Sequence, residues 1–512
     1  MVMAITRRSA IGILAGVPAL RIALAQTASL AIESGPFQAT RDSLKGYRVP
    51  DWFRDAKFGI WAHWGPQSAP EQGDWYARNM YIEGNPQYKW HQQNFGHQSK
   101  VGFKDVIATF KGEKFDPEHL MDLYKNAGAK YFVSMGVHHD NFDMWNSRHT
   151  RWNAANMGPK KDVVGLFRQA ALKRGMKFGV SEHLWISYKW FGTSHDSDKA
   201  GEYAGVGYDG NDPANFDLYH DLPKDYPARF SWDDAQIPAT WKQHWFDRIK
   251  DLVDNYQPDL LYTDGALPFE EYGLHLVAHL YNANARRHGG KVEAVYNSKR
   301  PEDCAEGTCV LDFERGLADA IAPNPWQTDT CVGDWHYKRD VKYKTPKTVI
   351  DMLVDIVSRN GNLLLNFPLP GSGEPDAEEL KIIAAITDWM KIHGEGIYAT
   401  RPWRIFGDGP RVAMKGNGRF NEQGRKDLTA EDVRFTTKGK TLYAFLMGSP
   451  GQQAAIAPLG LTAKTEPGKI HNVELLGHRG KLQWTQTDAA LNVTLPEKAP
   501  SELAVALRIA MA

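Results

Sequence analysis

At 512 residues with 42% hydrophobic content, the chain is long enough for a large barrel and a second domain. Its 61 basic and 61 acidic residues cancel to a formal net charge of zero, so no global field draws polyanions and nucleic acid is not an expected partner. The aromatic load, 17 Trp, 20 Tyr and 22 Phe, is heavy enough to serve both a large core and the stacking of sugar C–H faces.

The first residues read as an export address. Arg7-Arg8 precede an apolar run from Ile11 to Leu20, and Ala23-Leu24-Ala25 has the small-residue spacing of a cleavage site. Residues 1–25 are therefore expected to be a signal peptide, of twin-arginine type from the paired arginines, with the Sec route as the alternative. The apolar run is too short to span a membrane. The mature chain is expected to begin near Gln26 and to work in the periplasm or outside the cell.

Seven apolar runs then end in polar or ionisable residues: AKFGIWAHWG (His63), AKYFVSMGVHHDNF (His138, His139), MKFGVSEHL (Glu182, His183), PDLLYTDGA (Asp264), VEAVYNSKR (Lys299, Arg300), TCVLDFERG (Glu314) and GNLLLNFPLP (Asn366). Between them lie helical patterns. Asp116 is a predicted N-cap, with Pro117 at the first helical position and Gly128 beyond the end. A second helix begins at Asp162 and stops at Gly175. A third carries Trp245, Ile249, Leu252, Val253 and Tyr256 on one face. Strands alternating with helices imply a parallel sheet with helices outside, and strand after strand ending in reactive groups favours a closed barrel over a doubly wound sheet. No dinucleotide fingerprint or P-loop follows the first strand, which ends in His63-Trp64-Gly65-Pro66.

Asp264 is the sharpest single feature, a carboxylate at the tip of a buried strand. Taken alone it could cap the following turn; the other strand ends weigh towards chemistry. Cys304 and Cys309 could close a small loop, leaving Cys331 unpaired, and no disulfide framework is expected. After Leu380–Ile392 and Gly394 the pattern changes to short alternating runs: VRFTT and TLYAFLMG around Lys438-Gly439-Lys440, VELLGHRGKLQWTQT around Arg479-Gly480, then LNVTLP. These predict a small antiparallel β-sandwich over residues 401–512, behind a barrel over residues 26–400.

The motifs WFRDAKFGIWAHWG, KYFVSMGVHHDNFDMW, PKKDVVGLFRQAALKRGMKFGVSEHL, DLLYTDGA and SRNGNLLLNFPLP, in that order, resemble the α-L-fucosidases of glycoside hydrolase family 29 from about residue 40 to the C-terminus. The resemblance implies a TIM-like (β/α)8 barrel followed by a β-sandwich, no metal or organic cofactor, and hydrolysis of terminal α-L-fucose from fucosylated glycans with retention of configuration. It places the nucleophile at Asp264 and sugar contacts at His63, His138, His139 and Trp75, with Lys299 or its neighbour Arg300 where the family has an arginine. The acid/base falls on a variable stretch; Glu314 in DFERG is the choice, with Glu302 and Glu306 as runners-up. A metal held by the histidines with Asp140 is disfavoured, since adjacent strand residues point to opposite faces.

Two departures bear on the sugar. Asp74 stands where the family commonly has Glu, and Ser181-Glu182-His183 replaces a Tyr-rich strand end, so Glu182 is expected to bring a carboxylate into the sugar pocket. An α-L-galactoside or a modified fucose is therefore an alternative substrate. A carbohydrate-binding protein that has lost turnover is the alternative outside enzymology.

Overall fold

A computed structural model describes residues 30–512 apart from 224–229, 413–419, 421, 423–424 and 449–450. The predicted export segment, residues 1–25, lies outside the described residues. Eight strands, β1 (Phe58–Ala62), β2 (Tyr131–Val137), β3 (Lys177–Glu182), β4 (Leu260–Thr263), β5 (Val295–Ser298), β6 (Val310–Leu311), β7 (Trp326–Cys331) and β8 (Gly361–Asn366), form one sheet in the order β6-β5-β4-β3-β2-β1-β8-β7. Every pairing within it is parallel. Its two edges meet through an isolated Asp312–Gln327 bridge, and the Phe313 N–H donates to the Gln327 carbonyl at 2.8 Å. The sheet thereby closes into a TIM-type barrel.

The side chains obey the alternation that such a barrel requires. Trp61, Val133, Tyr262 and Leu364 pack together inside it, capped from below by Phe53 and Tyr131. Their strand neighbours Ile60, Phe132, Leu261, Leu363 and Leu365 face outward into the larger core under the helices. The helices begin where the sequence predicts. In α1 (Pro117–Asn126) the Asp116 side chain accepts from the His119 N–H, and in α2 (Val163–Lys173) Asp162 accepts from Gly165. α3 (Ala239–Tyr256), α4 (Glu271–Arg287), α5 (Pro346–Ser358) and α6 (Ala377–His393) complete the outer layer. Among the described residues no α-helix lies between β5 and β7. No helix of the described residues is long and apolar enough to cross a membrane.

β7 escapes sequence reading because its run, Trp-Gln-Thr-Asp-Thr-Cys, is polar at its centre yet wholly buried. Each polar side chain is matched in the interior: Gln327 donates to Asp312 and accepts from Tyr131, Thr328 donates to the Gly316 carbonyl, and Asp329 accepts from Tyr262. Burial of such a run is tolerated only with partners of this kind, which the linear sequence does not reveal.

The C-terminal domain holds a five-stranded antiparallel sheet, β9 (Arg401–Asp408), β10 (Val433–Lys438), β11 (Thr441–Leu446), β13 (Ile470–Leu475) and β16 (Val505–Met511), in the order β13-β16-β11-β10-β9. A three-stranded one, β12 (Gln453–Ile456), β14 (Gln483–Gln486) and β15 (Leu491–Thr494), completes the sandwich. Lys438 and Thr441 pair across the predicted turn at Gly439, whose φ of 60° needs no Cβ. The predicted hairpin around Arg479-Gly480 does not form. β13 pairs with β16 and β14 with β15, so the chain changes sheets there.

Asp355 on α5 ties the two domains. Buried itself, it accepts from Arg434 Nε and Arg425 Nη2 at 2.5 Å each, and Arg359 Nε lies at 3.3 Å. Burial pushes its carboxyl up, but the three guanidiniums outweigh burial and hold it well below the usual carboxylate range. Asp355→Ala should cost about 3–5 kcal/mol at pH 7, because it leaves buried guanidiniums unpaired. The cost, read as the drop in urea midpoint, should shrink as pH falls below about 4, where the wild-type carboxylate's contribution is itself lost.

Candidate active site

The C-terminal ends of the strands surround a cavity of about 500 Å³. Asp264, directly after β4, is fixed by its backbone: its N–H donates to the Glu182 carbonyl at 3.1 Å and its carbonyl accepts from Trp185 Nε1 at 2.6 Å. Gly265 follows at φ 100°, a conformation that favours glycine and turns the chain away with the carboxylate left facing the cavity. Lys299 Nζ lies 2.8 Å from Asp264 Oδ1, while His139 Nε2 and His183 Nδ1 each lie 3.4 Å from Oδ2.

The same ammonium lies 2.6 Å from Glu314 Oε2 and 3.5 Å from Asp329 Oδ2. One cation therefore serves three carboxyl groups and cannot neutralise them all. Burial favours the neutral form of Asp264, but Lys299 and then His139 and His183 reverse this and hold its carboxyl well below the ordinary value. Glu314 goes the other way: burial raises it, and burial together with the charges of Asp329 and Asp264 outweighs the help of Lys299. Burial opposes the charge on Lys299, yet the surrounding carboxylates hold it well above the ordinary lysine value. Behind them Asp312, buried beside Asp329, is pushed well up by burial and by that neighbour. The arrangement sets an Asp264 carboxyl that is pushed down opposite a Glu314 carboxyl that is pushed up, across a shared ammonium.

The opposite wall is made of histidines. His63 sits with its ring 4.9 Å from that of His138, 5.0 Å from His183 and 4.5 Å from His336. Burial first, and then the neighbouring imidazoles, lower His63 and His138 well below the ordinary value, and burial lowers His183. These rings are neutral near pH 7, each offering one donor and one acceptor. Both nitrogens of His63 and the Nε2 of His336 are buried without a hydrogen-bond partner among the described residues. Asp74 Oδ1 accepts from His336 Nδ1 at 2.6 Å and lies 3.9 Å from His138 Nε2. Trp75, held at φ 61°, a rare conformation for a bulky residue, turns its ring edge-on to His139 in the cavity wall.

The structure thus brings together Asp264, Glu314, Lys299, Arg300, His63, His138, His139, Asp74 and Trp75. It does not bring in Glu182. That side chain turns outward from β3, accepting from the Leu184 N–H at 2.9 Å and Trp245 Nε1 at 3.1 Å, and burial pushes its carboxyl up to about 7. Strand alternation gives the cavity to the next residue, His183. Glu302 and Glu306 lie beside a separate, smaller cavity with Arg41 and Lys45, where Glu306 pairs with Lys45 at 3.3 Å. Neither lines the Asp264 cavity.

His138 and His139 turn to the same side, not to opposite faces. β2 ends at Val137, the strict alternation ends with it, and donor atoms of His138, His139 and His183 lie within 4.8 Å of one another. Those of His63, Asp74, His138 and His336 do likewise, whereas Asp140 joins neither group. Sequence reading passes over His336, Trp185, Trp232, Tyr262, Asp329, Trp335 and Phe420, all at the cavity except His336 just behind it. The run Asp334-Trp335-His336 is the one local signal that could have marked part of this set.

The loop after β5 is braced around the site. Cys304 and Cys309 form a disulfide within it, and Asp303 Oδ2 accepts from Ser298 Oγ and from the Leu267 N–H, each at 2.7 Å. Cys331 is free and buried.

A family profile described as α-L-fucosidase matches residues 24–395, and one described as α-L-fucosidase C-terminal domain matches residues 425–510. Human tissue α-L-fucosidase is 27% identical over 90% of this chain and 88% of its own length. The rat tissue enzyme is 28% identical over 96% of this chain and 95% of its own. The structure of Thermotoga maritima α-fucosidase in complex with fucose superposes with a TM-score of 0.69 at 22% identity, covering 92% of this chain and 99% of that one, and so shares the fold.

Replacing the shared ammonium, as in Lys299→Met, should raise the Asp264 carboxyl, so the acidic limb of kcat/KM moves to higher pH while the maximum falls. An acidic limb left in place would break the assigned link between Lys299 and Asp264. Glu182→Gln, which keeps an acceptor for the Leu184 and Trp245 donors, should leave KM for the sugar nearly unchanged; a large rise in KM would return Glu182 to the cavity.

Proposed function

Because this chain belongs to the α-L-fucosidase family of glycoside hydrolases, we propose that it is an exported, retaining exo-α-L-fucosidase acting on fucosylated glycans. The observation that carries the mechanism is the shared contact with Lys299. Asp264 Oδ1 and Glu314 Oε2 each touch its Nζ, at 2.8 and 2.6 Å, so those oxygens can be no farther apart than the two contacts laid end to end. So close an approach supports the roughly 5–5.5 Å carboxyl spacing of double displacement over the wider, water-holding spacing of an inverting enzyme.

In the first step the Asp264 carboxylate attacks the anomeric carbon and the glycosidic C–O bond breaks, with the Glu314 proton passing to the leaving oxygen. In the second, Glu314, now ionised, takes a proton from water; the water oxygen attacks the anomeric carbon, and Asp264 leaves as carboxylate. The electrostatics support this division, since one neighbourhood lowers the Asp264 carboxyl and raises that of Glu314. Neutral imidazoles suit sugar hydroxyls, which donate and accept in turn, and Asp74 adds a charged acceptor worth roughly 1.5–3 kcal/mol per hydrogen bond. A cavity walled on this side supports exo-action on a terminal sugar. With Glu182 outside the cavity, the case for a different α-L-sugar rests on Asp74. The Cys304–Cys309 disulfide supports an oxidising compartment, periplasmic or extracellular.

The test is hydrolysis of an aryl α-L-fucoside followed by NMR of the first-formed anomer, with azide added to the variants. Wild type should release α-fucose first. Asp264→Ala should lose nearly all turnover and yield β-fucosyl azide, whereas Glu314→Ala should slow by roughly 10²–10⁴-fold and yield the α-azide. First-formed β-fucose, or an active Asp264→Ala, would sink the mechanism.

A further inference from the structure

Glu314 follows the shortest strand of the barrel. β6 is two residues long, and no α-helix among the described residues follows it before β7. In a TIM barrel the segment after a strand is ordinarily steadied by the helix it leads into. Here main chain from the C-terminal domain takes that place. The Phe420 N–H donates to the Glu314 carbonyl at 2.9 Å, and the Glu422 N–H to the Arg315 carbonyl at 3.1 Å.

Glu422 is in turn anchored to the barrel. Its carboxylate accepts from Thr330 Oγ1 at 2.6 Å, at the end of β7, and pairs with Lys344. Arg315 is fixed from its other end, donating to Cys331 Sγ at 2.7 Å with its guanidinium 5.4 Å from the Trp335 ring centroid. Glu314 therefore has its carboxyl held by Lys299 and its main chain held from the second domain. Phe420 lines the cavity beside Glu314 although it is 59% exposed, and Trp232, 46% exposed, lines it as well. An acid that protonates the leaving oxygen must lie on the leaving-group side, and Phe420, whose main-chain N–H binds the Glu314 carbonyl and whose side chain lines the same cavity, is placed on that side with it.

We propose that the C-terminal domain completes the active site: Glu422 is a positioning residue for the Glu314 segment, and Phe420 offers its ring to the apolar face of the sugar that leaves. The proposal rests on the reading of Glu314 as the acid. It assigns the second domain a part in turnover of natural, poor leaving groups, where proton donation must be well aimed, and little part where the leaving group needs no proton. The ring contributes by stacking on C–H surface, which a single-atom leaving group does not have.

Two substrates separate these effects: α-L-fucosyl fluoride, whose leaving group is one atom, and an α-L-fucosyl disaccharide. Comparing kcat/KM confines the measurement to the first chemical step. Glu314→Ala should lower the disaccharide value far more than the fluoride value. Glu422→Ala and Thr330→Val should do the same to a smaller extent, roughly ten- to a hundredfold on the disaccharide for Glu422→Ala, with a much smaller fall on the fluoride. Phe420→Ala should raise KM for the disaccharide several-fold, and Phe420→Tyr should restore it. Thermal melts of each variant identify any that fails to fold, and Thr330→Val tests the anchor without touching Glu422. If Glu314→Ala lowers both substrates alike, its reading as the acid falls and the proposal with it. If Glu314→Ala discriminates but Glu422→Ala and Thr330→Val lower both substrates alike or neither, the positioning role is overturned while the acid stands. An unchanged disaccharide KM in Phe420→Ala overturns the stacking role.

Discussion

The ammonium of Lys299 is the constraint on which the site depends. Three carboxyl groups, Asp264, Glu314 and Asp329, converge on it within 3.5 Å, and a fourth, Asp312, lies buried behind. One buried positive charge cannot balance that many anions, so protons must remain on some of them. The distribution follows from contacts. Asp264 has two histidines in addition to Lys299 and is pushed down, whereas Glu314 is pushed up by burial and by two neighbouring carboxylates. Two carboxyl groups are thus differentiated by environment although their side chains are chemically alike.

That differentiation needs the ends of β4, β5, β6 and β7 side by side, which is a property of barrel closure. β7 has to be polar because its inner face supplies Asp329 to the ammonium and Gln327 to Asp312. Tyr262 on β4 then donates to Asp329 across the interior, at 2.9 Å. The lower barrel is filled by apolar layers and its upper rim by this hydrogen-bonded network, so one closed sheet contains both a packed core and a charged site.

On the facing wall, burial makes the histidines useful as uncharged groups. Burial and then crowding lower their basicity, so several imidazoles stand within ring-contact distance without mutual repulsion, and nitrogens of His63 and His183 that have no hydrogen-bond partner among the described residues present donors and acceptors to the cavity. The barrel loses regularity beside Glu314. Between β5 and β7 an internal disulfide, the Asp303 hydrogen bonds and the second domain's main chain stand in for helices, while Asp355 and its arginines hold that domain in place.

Much of this was legible in the chain itself. Apolar runs ending in His63, His138, Asp264, Lys299 and Glu314 marked the strand tips, because strand periodicity and burial leave a local signature, and the cap residues Asp116 and Asp162 marked the helix starts. What tertiary structure alone decided was which way a side chain faces and what stands opposite it. Glu182 and His183 are adjacent, yet one turns to Trp245 in the outer layer and the other to Asp264, an outcome set by the phase of β3 in the closed sheet. β7 could not be recognised because its burial depends on partners far away in sequence, and neither could the docking of Phe420 and Glu422 on the Glu314 segment, more than a hundred residues before them. Local sequence carries periodicity and capping; the meeting of distant charges at one ammonium exists only once the barrel closes and the second domain packs against it.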